Sequence, residues 1–327
     1  MSYRIIFLVA ALVSVAGVAV PRWAYEGEWG RQGSGNGEFY YPDGVTVGPN
    51  KNVYVVDTQN YRIQRFTATG SFLGKWGKQG FGNGEFSSPC SASTTANGNV
   101  YVTDRFNHRV QYFTSRGVYL GQWGSFGAAN GQFYWPCGVA VGPGGRIYVA
   151  DGKNNRIQYF TPSGSFLGKW GSYGTGNGQF DWPWGIAVSR TGTVYVAGNN
   201  NPHVQYFTAS GSFLGKWGSY GEGDGQFIRP FGVAVAPNGR VFVVDYCWDN
   251  NTKYRVQYFT ATGSFIGKWG PFGVSEGEFW FPRGIAVSPS GARVYVADTW
   301  NHRIQYFNRN EPTVAPTSLG RVKALFR

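Results

Sequence analysis

A repeat constrains this chain more than any other feature. The anchor positions Asp57, Asp104, Asp151, Gly198 and Asp245 are spaced by 47 residues, and Asp298 follows after 53. Each unit holds four short apolar runs, in the third copy 133–141, 144–151, 154–160 and 164–171, set apart by turn residues. Runs of that length between Gly, Pro, Asn and Ser read as strands. Four strands in a period of about 40 to 50 residues are what a propeller blade requires, whereas a solenoid would show a shorter period or helical runs. The 50 Gly and 16 Pro, with 13 Trp, 21 Tyr and 25 Phe, suit tight turns and short packed strands.

The two ends of the chain complement each other. The sixth unit stops at Phe307 without a fourth strand, and Tyr25-Glu-Gly-Glu-Trp29-Gly near the N-terminus matches the missing piece. The expected fold is therefore all-β: a six-bladed β-propeller over 23–307 with four-stranded antiparallel blades. Its N-terminal strand should close the last blade and leave no open blade interface.

The run Gly-Val-Ala-Val, Val-Tyr-Val-Ala-Asp and Asn301-His-Arg-Ile-Gln-Tyr-Phe307 resembles the NHL repeat over 24–307. The resemblance implies a six-bladed ring whose first strands line a central channel. It implies little about activity, because members of that family bind proteins or RNA, sense ligands or catalyse.

Six copies in one chain permit an internal comparison. Asp57 with Arg62, Asp104 with Arg109, Asp151 with Arg156, Asp245 with Arg255 and Asp298 with Arg303 recur together, while the fourth unit has Gly198 and His203. These pairs read as structural ion pairs bracing the loop between the second and third strands. Trp29, Trp76, Trp123, Trp170, Trp217 and Trp269 share one fourth-strand position and read as core packing. Lys75, Lys169, Lys216 and Lys268 precede four of them, where lysine discourages edge-to-edge pairing.

Variation concentrates at the channel mouth. The position after the repeat's proline is Asp43, Cys90, Cys137, Trp184, Phe231 and Arg283, and the position before it is Tyr41, Ser88, Trp135, Trp182, Arg229 and Phe281. Neighbouring loops add Arg105, Phe106, Lys153, Trp248, Trp280, Trp300 and an insertion within 246–254. Aromatic platforms with a few cations suit sugar rings or peptide side chains. Asp43, Trp135, Trp182, Trp184, Arg229, Phe231, Trp280, Arg283 and Trp300 are the expected ligand-binding set, for a glycan or protein partner. Closing the tops of the blades is the alternative role for these aromatics. Cys90 and Cys137, at equivalent places in adjacent blades, are a candidate disulfide if their Cα atoms come within about 7 Å.

No catalytic residue is assigned, and no cofactor or metal is expected. Propeller lyases resembling this fold use channel histidines on zinc, and lactonase-type propellers use Glu, Asn and Asp on a divalent ion. The first-strand runs Gly44-Val-Thr-Val, Ser91-Ala-Ser-Thr, Gly138-Val-Ala-Val, Gly185-Ile-Ala-Val, Gly232-Val-Ala-Val and Gly284-Ile-Ala-Val offer none of these ligands. His108, His203 and His302 fall in three different units without zinc spacing. A non-catalytic binding propeller is the leading expectation; a lyase or hydrolase at the mouth is the alternative, and an RNA-binding propeller the second.

Residues 1–22 place Arg4 before an uncharged, mostly apolar run at 5–20 and read as a signal peptide, with an uncleaved anchor as the alternative. The mature protein is expected to lack a membrane span and to be monomeric, secreted or held in the periplasm or cell envelope. Of the net charge of +12, the leader's Arg4 and Arg22 account for two and the tail from Asn308 for three, which leaves +7 on the disc. That charge attracts acidic surfaces or polymers, but without a basic cluster nucleic acid is disfavoured. Residues 308–327 read as a Pro/Thr linker with a short basic tail.

Overall fold

The computed structural model describes residues 22–246 and 254–310. The expected leader apart from Arg22, most of the insertion with Cys247 and Trp248, and the tail beyond 310 lie outside them. The described residues form one domain of six four-stranded antiparallel blades, with no α-helix among them and hence no helix able to cross a membrane. Blade 1 comprises Pro42–Val47, Val53–Asp57, Arg62–Phe66 and Phe72–Trp76. Blades 2 to 5 repeat this order, with first strands Pro89–Thr94, Pro136–Val141, Pro183–Val188 and Pro230–Val235. Blade 6 takes Pro282–Val287, Arg293–Asp298 and Arg303–Asn310, and the N-terminal strand Arg22–Trp29 supplies its outer edge. First strands of neighbouring blades pack together around the whole ring.

The closing strand takes a fourth strand's register: Trp29 opposes Ile304 as Trp76 opposes Ile63. Pairing runs past Phe307, where the repeat pattern ends in the sequence, because Ala24, Trp23 and Arg22 face Asn308, Arg309 and Asn310. These three pairs extend the blade beyond the expected boundary. A first strand anchored in the last blade joins the ends of the chain and leaves every blade with two neighbours.

Each joint between blades repeats one packing motif. The fourth-strand indole lies against a Phe of the next blade's third strand: Trp29 on Phe66, Trp76 on Phe113, Trp123 on Phe160, Trp170 on Phe207, Trp217 on Phe259 and Trp269 on Phe307, with ring centroids 5.4–5.7 Å apart. At the five joints where the next blade has its outer turn, that turn passes so close over the indole that only glycine fits. A Cβ on Gly117, already at φ +88°, would sit 2.5 Å from the Trp76 ring. On the inner side Tyr54, Tyr101, Tyr148, Tyr195 and Tyr295 each donate a hydroxyl hydrogen bond to a carbonyl in the following blade's outer turn.

The sixth copy of that tyrosine is Phe242, and the ring geometry explains the change. The blade after it is the composite one, whose third and fourth strands come from opposite ends of the chain and are not joined by the usual turn. The turn carbonyl is missing there, so a hydroxyl would be buried without its partner. Trp23 fills the place instead, 5.2 Å from Phe242 and 6.0 Å from Trp269.

The five Asp–Arg pairs are buried ion pairs of 2.7–3.0 Å. Their reach is longer than the loop between the second and third strands. Arg62 also donates to the carbonyls of Ser34, Gly35 and Glu38 in the segment entering the blade, and Asp57 accepts the Tyr40 N–H there at 2.7 Å. Burying a charge is tolerable when its hydrogen-bonding groups are satisfied in this way. In blade 4 Asp and Arg are replaced together, so neither charge is stranded. Gln205 keeps its place, donating to the Gln179 carbonyl at 2.6 Å and accepting from the Gly178 N–H at 2.8 Å. Lys75, Lys169, Lys216 and Lys268 are exposed on the outermost strands.

Candidate functional site

The first strands converge on a channel cavity of about 200 Å³ lined by their small side chains and backbone. At its mouth, the residues on either side of each proline form a collar. Those before the proline are in the left-handed region in five blades: Tyr41, Ser88, Trp135, Trp182 and Phe281, with φ between 47° and 57°. That conformation is costly for a non-glycine residue. Its recurrence makes it a property of the repeat, independent of whether the side chain is aromatic or, as at Ser88, small.

Three of these residues are held by the preceding blade. The Trp135 N–H donates to His108 Nδ1 at 3.2 Å, the Tyr41 N–H to His302 Nδ1 at 3.1 Å, and the Trp182 N–H to Asn155 Oδ1 at 2.9 Å. His108 and His302 therefore act as neutral acceptors with the proton on Nε2, and burial lowers the pKa of both. They position the collar.

The collar is a nearly closed chain of aromatic contacts. It runs from Phe106 to Trp135 (5.7 Å), Trp182 (6.1 Å), Trp184 (6.0 Å), Phe231 (4.6 Å), Tyr246 (4.8 Å), Phe281 (5.2 Å), Trp300 (4.5 Å) and Tyr41 (6.0 Å). Trp280 joins it through Trp300 at 5.6 Å. It has two layers. Trp135, Trp182, Trp280 and Trp300 are half-buried with one side toward solvent, whereas Trp184 and Phe231 retain only 8% and 2% exposure. The latter pair were expected on the binding face. They lie one step inside the proline, where the strands converge, and form the floor beneath it. Arg229 is half-buried, and its N–H donates to Asp245 Oδ1 at 2.9 Å.

The chain of rings is broken between Tyr41 and Phe106. Here the residue before the proline is Ser88, and the gap is a cavity of about 190 Å³ bordered by Asp43, Gln59, Arg105 and Arg283. Asp43 and Arg283, from the first and last blades, form a 2.7 Å ion pair that borders both this cavity and the channel. Arg105 is wedged among Phe106, Trp135, Trp182 and Trp184, with its guanidinium carbon 5.0–5.7 Å from their ring centres. Lys153 lies 4.1 Å from the centre of the Trp182 ring.

Cys90 and Cys137 are buried free thiols, so the candidate disulfide is not formed in this structure. They interact as thiols across the blade boundary, and the Cys137 Sγ–H also donates to its own blade's Trp135 carbonyl at 3.4 Å. The hydrogen bond to Cys137, together with burial, raises Cys90 well above the ordinary range. Burial opposes ionising Cys137, but the bond to Cys90 and the Arg105 guanidinium outweigh it and lower its pKa. Among the described residues no three His, Cys, Asp or Glu side chains are grouped to hold a metal.

An outer ring of exposed aromatics escapes a reading of the sequence. Phe126, Tyr173 and Tyr220 are 63%, 70% and 70% exposed, at one shared position in the segments leading into blades 3, 4 and 5. The equivalent residues before blades 1 and 2 are Gln32 and Gln79. That replacement within a repeated position was the available signal, hidden in a glycine-rich connection. Phe272 holds the same position before blade 6 at 38% exposure, so this position is aromatic at blades 3 to 6 and glutamine at blades 1 and 2.

Three segments, 39–66, 133–160 and 279–307, match the family described as NHL repeat. The chain is 55% identical over 42 residues to the B-box type zinc finger protein ncl-1 of Caenorhabditis elegans, a match that spans 13% of this chain and 5% of that protein. Among solved structures, similarity extends to a Bacteroides thetaiotaomicron protein of unknown function at 15% identity, covering 89% of this chain and 76% of that one with a TM-score of 0.66. A gluconolactonase from Xanthomonas campestris aligns at 12% identity over 89% and 98% of the chains, with a TM-score of 0.60. A catalytically inactive virginiamycin B lyase from Staphylococcus aureus, solved with quinupristin, aligns at 14% identity over 82% and 94%, with a TM-score of 0.55. At these identities the structural likeness is one of fold.

Proposed function

We propose, from the premise that this chain is an NHL-repeat six-bladed β-propeller, that it is an exported, non-catalytic binding module which holds a glycan against the collar at its channel mouth. The observation that carries this reading is the set of half-exposed tryptophans Trp135, Trp182, Trp280 and Trp300, backed by a buried aromatic floor. So much aromatic surface on one face is a liability unless a ligand covers it. The planes of neighbouring rings are inclined by 36° between Trp135 and Trp182 and by 48° between Trp280 and Trp300. Inclined rings around a concave mouth provide separate platforms for successive sugar rings, each an apolar face beside polar groups. Export rests on the apolar leader at 5–20.

The test is retention of cell-envelope and extracellular polysaccharide fractions by the purified protein and by a W135A/W182A variant. Retention lost at least tenfold in the variant, with thermal unfolding little changed, supports the reading. Equal retention contradicts it, and a protein retained only by the unmutated chain would replace the glycan with a protein ligand on the same face.

A further inference from the structure

The break in the aromatic collar is chemically unlike the rest of the mouth. Two guanidiniums, Arg105 from blade 2 and Arg283 from blade 6, border one cavity of about 190 Å³, with Asp43, Tyr41, Gln59 and Ser88 between them. Arg283 has a carboxylate partner in Asp43. Arg105 has none among the described residues; its surroundings are aromatic rings. The Nε atoms of both arginines are buried without a hydrogen-bond partner.

A guanidinium packed among four rings gains cation–π attraction but loses hydration, and its donors stay underused. It is also pre-organised: the rings fix the plane of the fork, so an incoming oxyanion need not immobilise a flexible side chain. Two guanidiniums and one carboxylate leave the cavity a single net positive charge. That balance suits a monoanion, and a planar carboxylate matches the fork geometry of arginine. Lys153, 5.5 and 4.1 Å from the Trp135 and Trp182 ring centres, extends the positive field along the platforms.

We infer that this cavity is the anion subsite of the collar, and that the glycan bound there is acidic, its uronate carboxylate on Arg105 and Arg283 and its neighbouring rings on Trp135 and Trp182. The inference rests on the glycan reading above and narrows it to one substrate class. It also gives the polar gap at blades 1 and 2 a purpose: an aromatic at position 88 would fill the space the carboxylate needs.

The experiment is titration calorimetry of the full chain with galacturonate, glucuronate and mannuronate oligosaccharides, each beside its carboxyl-reduced neutral twin, and with polyglutamate of equal length. At least one acidic oligosaccharide is expected to bind tenfold or more tightly than its neutral twin and than polyglutamate. R105Q should abolish that preference, so that the acidic oligosaccharide and its neutral twin bind R105Q equally, with thermal unfolding of R105Q as the control for folding. Equal affinity for acidic and neutral twins, or an acid preference that survives R105Q, overturns the anion subsite and leaves the glycan reading standing. Polyglutamate binding as tightly as the uronates overturns the sugar assignment and keeps only a carboxylate site. No binding by any oligosaccharide, acidic or neutral, overturns both.

Discussion

The joints between blades and the channel mouth use the same residue type in opposite ways. At the joints six tryptophans meet six phenylalanines with nearly identical geometry, and each contact serves only the ring. At the mouth the tryptophans appear in some blades and not others, are tilted relative to one another, and sit beside the cations Arg105 and Lys153. A repeated position that is filled alike everywhere serves the blade, and one filled differently in each blade is free to serve a ligand.

The largest effect that would sharpen this contrast is at a joint. W76A should destabilise the protein by ~3–5 kcal/mol, the cost of removing a large aromatic from a packed core, measured by urea unfolding, while the surviving folded protein keeps its ligand affinity. Next is the buried brace. D57A strands the Arg62 charge and should cost ~3–5 kcal/mol, whereas D57G/R62H, which installs the solution blade 4 already uses, should cost less than the sum of the two single changes in a double-mutant cycle. W182A reverses the pattern: about 1–2 kcal/mol of stability lost, but at least a tenfold loss of ligand retention. A mouth tryptophan that behaved like Trp76 in both measurements would break the comparison.

A smaller effect separates one mouth residue from another. Burial holds His108 and His302 below the ordinary 6.5, so the folded state favours their neutral forms. The stability they contribute is fully present above about pH 6.5 and is lost as the pH falls toward their folded-state values. Hydrogen-exchange protection factors of the Trp135 and Tyr41 amides should fall over that range, while that of Trp182, held by Asn155, should not. An equal change at all three amides would contradict the assignment of the histidines as acceptors.

Much of the fold is legible in the chain because six copies annotate one another. The blade period, the closing strand at Trp29 and the Asp57–Arg62 type of pair all follow from positions that agree. What could not be read was depth and partnership. Trp184 and Trp182 are two residues apart, yet one is floor and the other platform, because the proline between them marks where the strands begin to converge. His108 finds its partner 27 residues later in the next blade, a distance no local pattern encodes. Phe242 looks like a conservative exchange for tyrosine until the missing turn of the composite blade is seen. The rim residues Phe126, Tyr173 and Tyr220 were obscured by the glycines around them.

The most direct test of the central claim uses the tryptophans as reporters. The thirteen indole N–H signals, assigned by single Trp→Phe variants, would be followed by TROSY NMR during titration with an acidic oligosaccharide. The account predicts shifts at Trp135 and Trp182, with Trp280 and Trp300 following as the chain of sugars lengthens, and none at Trp29, Trp76, Trp123, Trp170, Trp217 or Trp269. Shifts centred on the joint tryptophans, or none at the mouth, would contradict it.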